Sequence, residues 1–274
     1  MEGTVPFVPG VHPPPEPLPR LWFCVGPAGL LVRDGDAGVA MPVASDPDDL
    51  GVERETASHF LGVLGGQACW CVGARPGTAT GRWLDLRSLY GQLPDQLWAV
   101  AGRAAQIAEW DRTHRFCGRC GSPTVAATEE RAMRCPACGL LAFPRLSPAV
   151  IVAVERPGEI LLAHNVSFPE GQFSAVAGFV DPGETLEEAV HREVAEEVGV
   201  ALGGVRYVAS QPWPFPHSLM VAFTARWAGG EIRVDGREIA DARWFPPDGL
   251  PRLPPSMSIA RDLIDDFVVR SRGS

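Results

Sequence analysis

Short apolar runs at residues 21–25, 30–32 and 68–72 are broken by Gly and Pro, a pattern that predicts small β-rich structure up to about residue 90. Leu97, Val100, Ala101, Ala104, Ile107 and Ala108 then recur at helical spacing, so an amphipathic helix follows, with a boundary near Asp111. Further on, 148–154 is a continuous apolar and β-branched run. A second run, 159–163, follows across the turn Arg156-Pro157-Gly158-Glu159, and the two predict a hairpin opening a new domain. Strands are also expected at 205–209, 219–227 and 240–245, and a closing helix at 258–269. One helix lies among them: Thr185 caps it, Glu188 completes a capping box, and Gly199 ends it. Leu186, Val190, Val194 and Val198, with Ala189, form its apolar face. Residues 1–20 hold seven prolines and read as an extended or poorly ordered lead-in; no internal repeat is visible.

The chain of 274 residues suggests two domains and a small third module, at roughly 150 residues per domain. With 46% hydrophobic and 21% charged residues it reads as globular rather than disordered or collagen-like. No apolar run approaches the roughly 20 residues of a bilayer crossing, and 1–20 lack the basic start and apolar core of a signal peptide. A cytoplasmic protein without a membrane partner is the expectation. All 24 basic residues are arginine, which removes Schiff-base and phosphate-loop lysine chemistry. The net charge of −9 speaks against a general nucleic-acid coat and against a stable DNA partner.

Four of seven cysteines fall as Cys117-x-x-Cys120 and Cys135-x-x-Cys138, a spacing that lets two knuckles close a tetrahedral thiolate site for zinc. Two disulfides or buried thiols are the other reading. Cys24, Cys69 and Cys71 look like small hydrophobes, the latter two on one strand face. Arg112, Arg115, Arg119, Arg131, Arg134 and Arg145 surround the pairs, either as charge balance for a doubly negative site or as a basic face for phosphates.

On the polar side of the central helix Glu193, Glu196 and Glu197 stand at i, i+3 and i+4, where like charges repel. A solvated acidic face is one reading. The other is a site for Mg²⁺ or Mn²⁺, hard cations that take carboxylate oxygens and bridge to phosphates. The loop Gly178-Phe179-Val180-Asp181-Pro182-Gly183-Glu184 delivers the chain into this helix.

Gly178, Glu184 and the run Arg192-Glu193-Val194-Ala195-Glu196-Glu197-Val198-Gly199-Val200 resemble a complete Nudix box, the signature of hydrolases of nucleoside diphosphates linked to another moiety. Ser210-Gln211-Pro212-Trp213-Pro214-Phe215-Pro216-His217-Ser218-Leu219-Met220 is similar to the segment marking the NADH pyrophosphatase branch of that family. Taken alone, this Pro-aromatic stretch reads as a stiff extended loop presenting Trp213 and Phe215, either as a packed corner or as a wall for a planar base. The branch also carries a four-cysteine zinc ribbon before the Nudix domain, so the resemblance covers about residues 95–270.

The resemblance implies an α/β (α+β) protein: a Nudix α/β/α sandwich with a mixed sheet at 146–274, preceded by a zinc ribbon at 112–145 and a small β-rich N-terminal domain at 21–111. It implies hydrolysis of NAD(H) to NMN(H) and AMP, removal of NAD caps from RNA 5′ ends, and a homodimer. Glu193, Glu196 and Glu197 match catalytic positions. Glu193, Glu197, Glu238 and the carbonyl of Ala177 match the Mg²⁺ or Mn²⁺ ligands, and Glu197 is the favoured general base. Structural Zn²⁺ falls to Cys117, Cys120, Cys135 and Cys138. Substrate-contacting positions are Glu130, Phe143, Phe179, Gln211, Pro212, Trp213, Pro214, Phe215, Pro216, His217, Ser218 and Ala260. Arg192 is expected to orient the cluster by ion pairing. Phe143 replaces the branch's tyrosine and so lacks a hydroxyl. The alternatives are a Nudix hydrolase of ADP-ribose or another nucleoside diphosphate derivative, and a non-catalytic zinc-ribbon regulator.

Overall fold

The computed structural model of the chain describes residues 6–35, 38–234 and 236–273. It divides into two compact units, Met1–Arg145 and Leu146–Ser274.

The second unit opens with β12 (Ser147–Arg156) and β13 (Glu159–Asn165), numbered after the eleven strands of the first unit. Then come β14 (Val176–Phe179), helix α2 (Leu186–Val198), β15 (Ala201–Trp213), β16 (Ser218–Gly229), β17 (Ile239–Phe245) and helix α3 (Ile259–Arg272). The strands form a mixed six-stranded sheet in the order β15-β16-β12-β13-β17, with β14 also paired to β12. β12 and β16 run parallel; the other pairs are antiparallel. The unbroken apolar run of β12 follows from its central place, because side chains alternate across the sheet and both faces are covered. Val150, Val152 and Val154 lie in one core with Ala189, Val190, Val194 and Val198 of α2. Ile151 and Ala153 lie in the other, with Leu263, Ile264 and Phe267 of α3. The expected α/β/α sandwich is present.

In the first unit β1 (Val8–Pro9), β2 (Arg20–Gly26), β3 (Gly29–Gly35), β4 (Gly38–Ala40), β5 (Glu53–Arg54), β6 (His59–Leu64), β7 (Gln67–Arg75) and β8 (Arg82–Leu84) form an eight-stranded sheet, followed by α1 (Asp95–Thr113). Short strands β9 (Val125–Ala126), β10 (Met133–Arg134) and β11 (Leu141–Ala142) make a separate ribbon. Residues 1–5 of the expected lead-in lie outside the described residues. The remainder of the lead-in is not uniformly loose, since β1 pairs with β6, Val8 opposite Val63. Proline is tolerated there because β1 is an edge strand.

No repeat is visible in the sequence, yet the topology of the two units repeats. The path β6-β7-β2-β3, with β2 and β7 parallel and β8 antiparallel to β3, repeats β15-β16-β12-β13 with its parallel β12–β16 pair and β17 on β13. α1 follows β8 and packs on β7 and β2, as α3 follows β17 and packs on β16 and β12. Among the described residues α2 has no helical counterpart in the first unit, and β14 is matched there only by the isolated bridge Leu21–Val43. A single turn of 3₁₀ helix, Pro47–Leu50, stands at the place of α2 in the order. The repetition lies in strand order and pairing sense, which many apolar sequences satisfy, so no residue-level period betrays it.

Candidate active site and four-cysteine centre

β14 is held to β12 with Ala177 opposite Ile151 and Phe179 opposite Ala149, and this pairing fixes the entry of the acidic loop. The loop then turns into α2, whose first turn is closed by the reciprocal Thr185–Glu188 box. Gly199 ends the helix at φ 74°, a left-handed conformation that costs glycine little. The buried face is the expected one, Ala189, Val190, Val194 and Val198, but Glu197 joins it at 6% exposure.

Arg192 is the hub of the polar face. Its Nε and Nη2 donate to the two oxygens of Glu184 at 2.6 and 2.9 Å, and Nη1 donates to Glu193 at 2.8 Å and to Glu196 at 3.2 Å. Nη2 also reaches the carbonyl of Phe179 at 2.8 Å, tying the loop to the helix. The guanidinium beside Glu184 holds that carboxyl down at about 2. Glu193 moves the other way: burial raises it, the charges of Glu196 and Glu238 add to the rise, and Arg192 opposes it. Its carboxylate lies against Gly178, where a Cβ would fall 1.9 Å from Cδ and 2.1 Å from each oxygen. Gly178 is needed for this approach, a role the motif alone does not reveal.

The i, i+3, i+4 spacing promises three carboxylates side by side. Instead the side chain of Glu193 is 12% exposed and that of Glu196 63% exposed. Glu238, just before β17, contributes charge to the same site, and its carbonyl accepts from the amide of Val166 at 2.9 Å. Hard oxygen donors with a surplus of negative charge suit a divalent cation. Among the described residues, however, the one set of three or more metal-binding side chains whose ligand atoms gather within 4.8 Å is the cysteine set.

The segment expected as an extended loop is largely strand. Ser210 to Trp213 belong to β15, paired with Val221 to Ser218 of β16, and the turn is confined to 214–217. Trp213 and Phe215 pack edge to face with centroids 5.0 Å apart. Ser147 Oγ and His217 Nδ1 are 3.1 Å apart, while Pro214 and Ser218 are buried and Pro212 and Pro216 exposed. Gln211 is occupied: its Nε2 donates to Met257 O and its Oε1 accepts from Ile259 N, both at 2.9 Å. It therefore clamps the start of α3, where Ala260 is buried and its amide donates to the Ser258 cap at 3.2 Å. Beside this clamp a groove of about 380 Å³ is lined by Ser210, Gln211, Pro212, Ile259, Asp262 and Asp266, among others. Its acids carried no recognisable signal in the sequence. Phe179 is 58% exposed at the box loop. Glu130 and Phe143 belong to the first unit, in the ribbon; Phe143 is exposed and Glu130 half-buried.

The four cysteines are brought together. Sγ separations are 3.6 Å for Cys117–Cys138, 3.5 Å for Cys120–Cys135 and 3.6 Å for Cys120–Cys138. Sulfurs placed tetrahedrally about 2.3 Å from one zinc would lie about 3.8 Å apart, so the set fits that ion. All seven cysteines are free, which sets the disulfide reading aside. The two knuckles match in detail: Gly121 N donates to Cys117 O and Gly139 N to Cys135 O, both at 2.9 Å. Hydrogen bonds from Ser122 hold the Cys120 thiol down at about 6, favouring the thiolate that binds metal.

Three families cover nearly all of the chain: the NUDIX domain at residues 145–267, the NADH pyrophosphatase zinc ribbon domain at 112–143, and the NADH pyrophosphatase-like rudimentary NUDIX domain at 19–110. Fold and site thus define a Nudix hydrolase carrying a four-cysteine zinc ribbon. Among similar proteins, the NAD-capped RNA hydrolase NudC of Chromobacterium violaceum is 44% identical over 263 residues, 95% of this chain and 96% of that one. The protein of the same name from Deinococcus radiodurans is 46% identical over 251 residues, 89% and 88% of the two chains. That from Stutzerimonas stutzeri is 53% identical over 192 residues, 70% of each. The chain belongs to the NudC family of Nudix hydrolases.

Proposed function

We propose that the chain hydrolyses the pyrophosphate bond of NAD(H) to NMN(H) and AMP and removes NAD caps from RNA 5′ ends. The observation that carries this reading is the Arg192-centred carboxylate cluster at Gly178, in a chain similar to NAD-capped RNA hydrolases over 95% of its length. Glu193, Glu197 and Glu238, with the carbonyl of Ala177, would hold Mg²⁺ or Mn²⁺. When bound, such an ion supplies positive charge against the pyrophosphate oxygens and lowers the proton affinity of water. Glu197 accepts the proton of the attacking water, its burial keeping it fixed relative to the sheet. Arg192 holds Glu193 and Glu196 in place and anchors the Phe179 carbonyl, which leaves the exposed Phe179 ring to stack on a base. Trp213, Phe215, His217, Ser218 and the prolines between them form the neighbouring wall, and Gln211 keeps Ala260 and the start of α3 against it. Structural zinc sits on Cys117, Cys120, Cys135 and Cys138. A homodimer in the cytoplasm completes the proposal, and reduced thiols such as the seven free cysteines are at home there.

The test is product chromatography with Mg²⁺ or Mn²⁺ on NADH, NAD⁺, ADP-ribose and NAD-capped RNA, beside Glu197→Gln. NMN(H) and AMP, lost in the variant, are the expected result. Cleavage of ADP-ribose alone would move the substrate within the superfamily, and intact dinucleotides with either metal would overturn the enzymatic reading.

A further inference from the structure

At the other end of the second unit's sheet, six residues along β12 from the Ala149–Phe179 pair, lies a second cavity of about 250 Å³. At roughly 3.3 Å per residue it sits about 20 Å from the box loop. Its lining is Glu155, Gly204, Arg206, Thr224, Arg226 and Arg270, with Ala225. These residues converge through the register: Arg206 pairs with Thr224, and Arg226 stands between Gly203 of β15 and Glu155 of β12. Thr224 and Arg226 share the sheet face of Met220 and Ala222, the face that α3 covers, and α3 brings Arg270 to Glu155.

The three arginines are not equivalent. Arg270 is committed, with Nη2 and Nη1 on the two Glu155 oxygens at 2.5 and 3.1 Å and Nε on Asp266 at 2.8 Å. Among the described residues neither Arg206 nor Arg226 forms an ion pair. Gly204, at φ 62°, makes room: a Cβ there would lie 3.3 Å from both Nε and Nη2 of Arg226. Two uncommitted guanidinium forks and a hydroxyl around one cavity, in a chain of net charge −9, are a local reversal of sign that the hydrolytic site does not use. Planar forks of this kind match the paired oxygens of a phosphate.

We propose that this cavity is a phosphate-binding site, in which Arg206 and Arg226 grip the oxygens of a phosphoryl group and Thr224 adds a hydroxyl. The group comes either from a free phosphate compound or from the backbone of a single-stranded RNA. The proposal stands independently of the NAD(H) reading.

Calorimetric titration decides it, with inorganic phosphate, ribose 5-phosphate and a short uncapped single-stranded RNA as probes. The proteins are the full chain, the double variant Arg206→Gln/Arg226→Gln, and Arg226→Lys. Saturable binding that weakens about tenfold or more in the double variant is expected, because charged hydrogen bonds are lost. Arg226→Lys keeps charge without the fork and is expected to fall between the two; it also decides the matter if the double variant does not fold. NADH turnover in phosphate-free buffer is expected to be unchanged in both variants. Binding of the small phosphates assigns the cavity to free phosphate compounds, and binding of RNA alone assigns it to the strand; either supports the site. Equal affinity across the three proteins, or no saturable binding to the unaltered chain, overturns it.

Discussion

Gly178 and Glu193 share a space that admits one of them with a side chain. Adding a methyl at Gly178 drives the Glu193 carboxylate away, and because that carboxylate ends a flexible side chain, the fold can absorb the move. Gly178→Ala is therefore expected to melt close to the unaltered protein but to lose about a hundredfold or more of its NADH turnover, the scale set by misplacing a reacting group by an ångström. A melting temperature that fell along with the activity would point to a structural role for the glycine. The identities of the acids were legible from spacing, but their exposures were not. A helix advances about 100° per residue, so Glu193 and Glu197 turn toward the sheet while Glu196 turns to solvent. Gln211, expected among the substrate-contacting residues, bonds the backbone at Met257 and Ile259, at the entry to α3. Its partners are 46 and 48 residues away, so nothing local could announce them.

At the scale of elements, α2 was readable because its signals are all local: a capping box, a four-step apolar stripe and a terminal glycine. Thr185 accepts from the Glu188 amide while Glu188 returns to the Thr185 amide. Thr185→Ala is expected to cost about 1 kcal/mol, read from the urea midpoint at constant slope. β15 was the harder element. Residues 205–209 were expected and 201–213 is observed, because pairing with β16 carries the strand through Gly203, Gly204 and Pro212. Local propensity disfavours those residues in a strand, and bulges in the register accommodate part of the mismatch.

For the whole molecule, buried thiols tie stability to alkaline pH. Burial pushes the thiols of Cys24 and Cys71 up to about 12 from an ordinary 9.0. The unfolded chain thus ionises first, so stability is intact well below pH 9.0, begins to fall as pH approaches 9.0 and declines at full slope from there toward 12. Each thiol contributes a slope of roughly 1.4 kcal/mol per pH unit. Urea midpoints are expected to fall between about pH 8 and about pH 10, and less so in Cys24→Ala/Cys71→Ala. The ribbon is expected to depend on zinc for its fold, since β9 to β11 are two residues each and bury little. A strong chelator is expected to release one zinc per chain and to melt the ribbon's amide protection in hydrogen exchange, leaving the strands of β12 and β16 protected. Protection that survived metal loss would make the cysteines dispensable to the fold.

The first unit is a natural deletion experiment on the second. It keeps the parallel central pair, the hairpins and the final helix, yet a four-residue turn stands where α2 would be. A sheet of this design forms in the first unit without an acidic helix, whereas in the second unit the inner face of α2 closes one core and only its outer face carries the acids. Inactivating substitutions on the solvent side of α2 should therefore yield folded, soluble protein, suited to trapping an uncleaved substrate on the site.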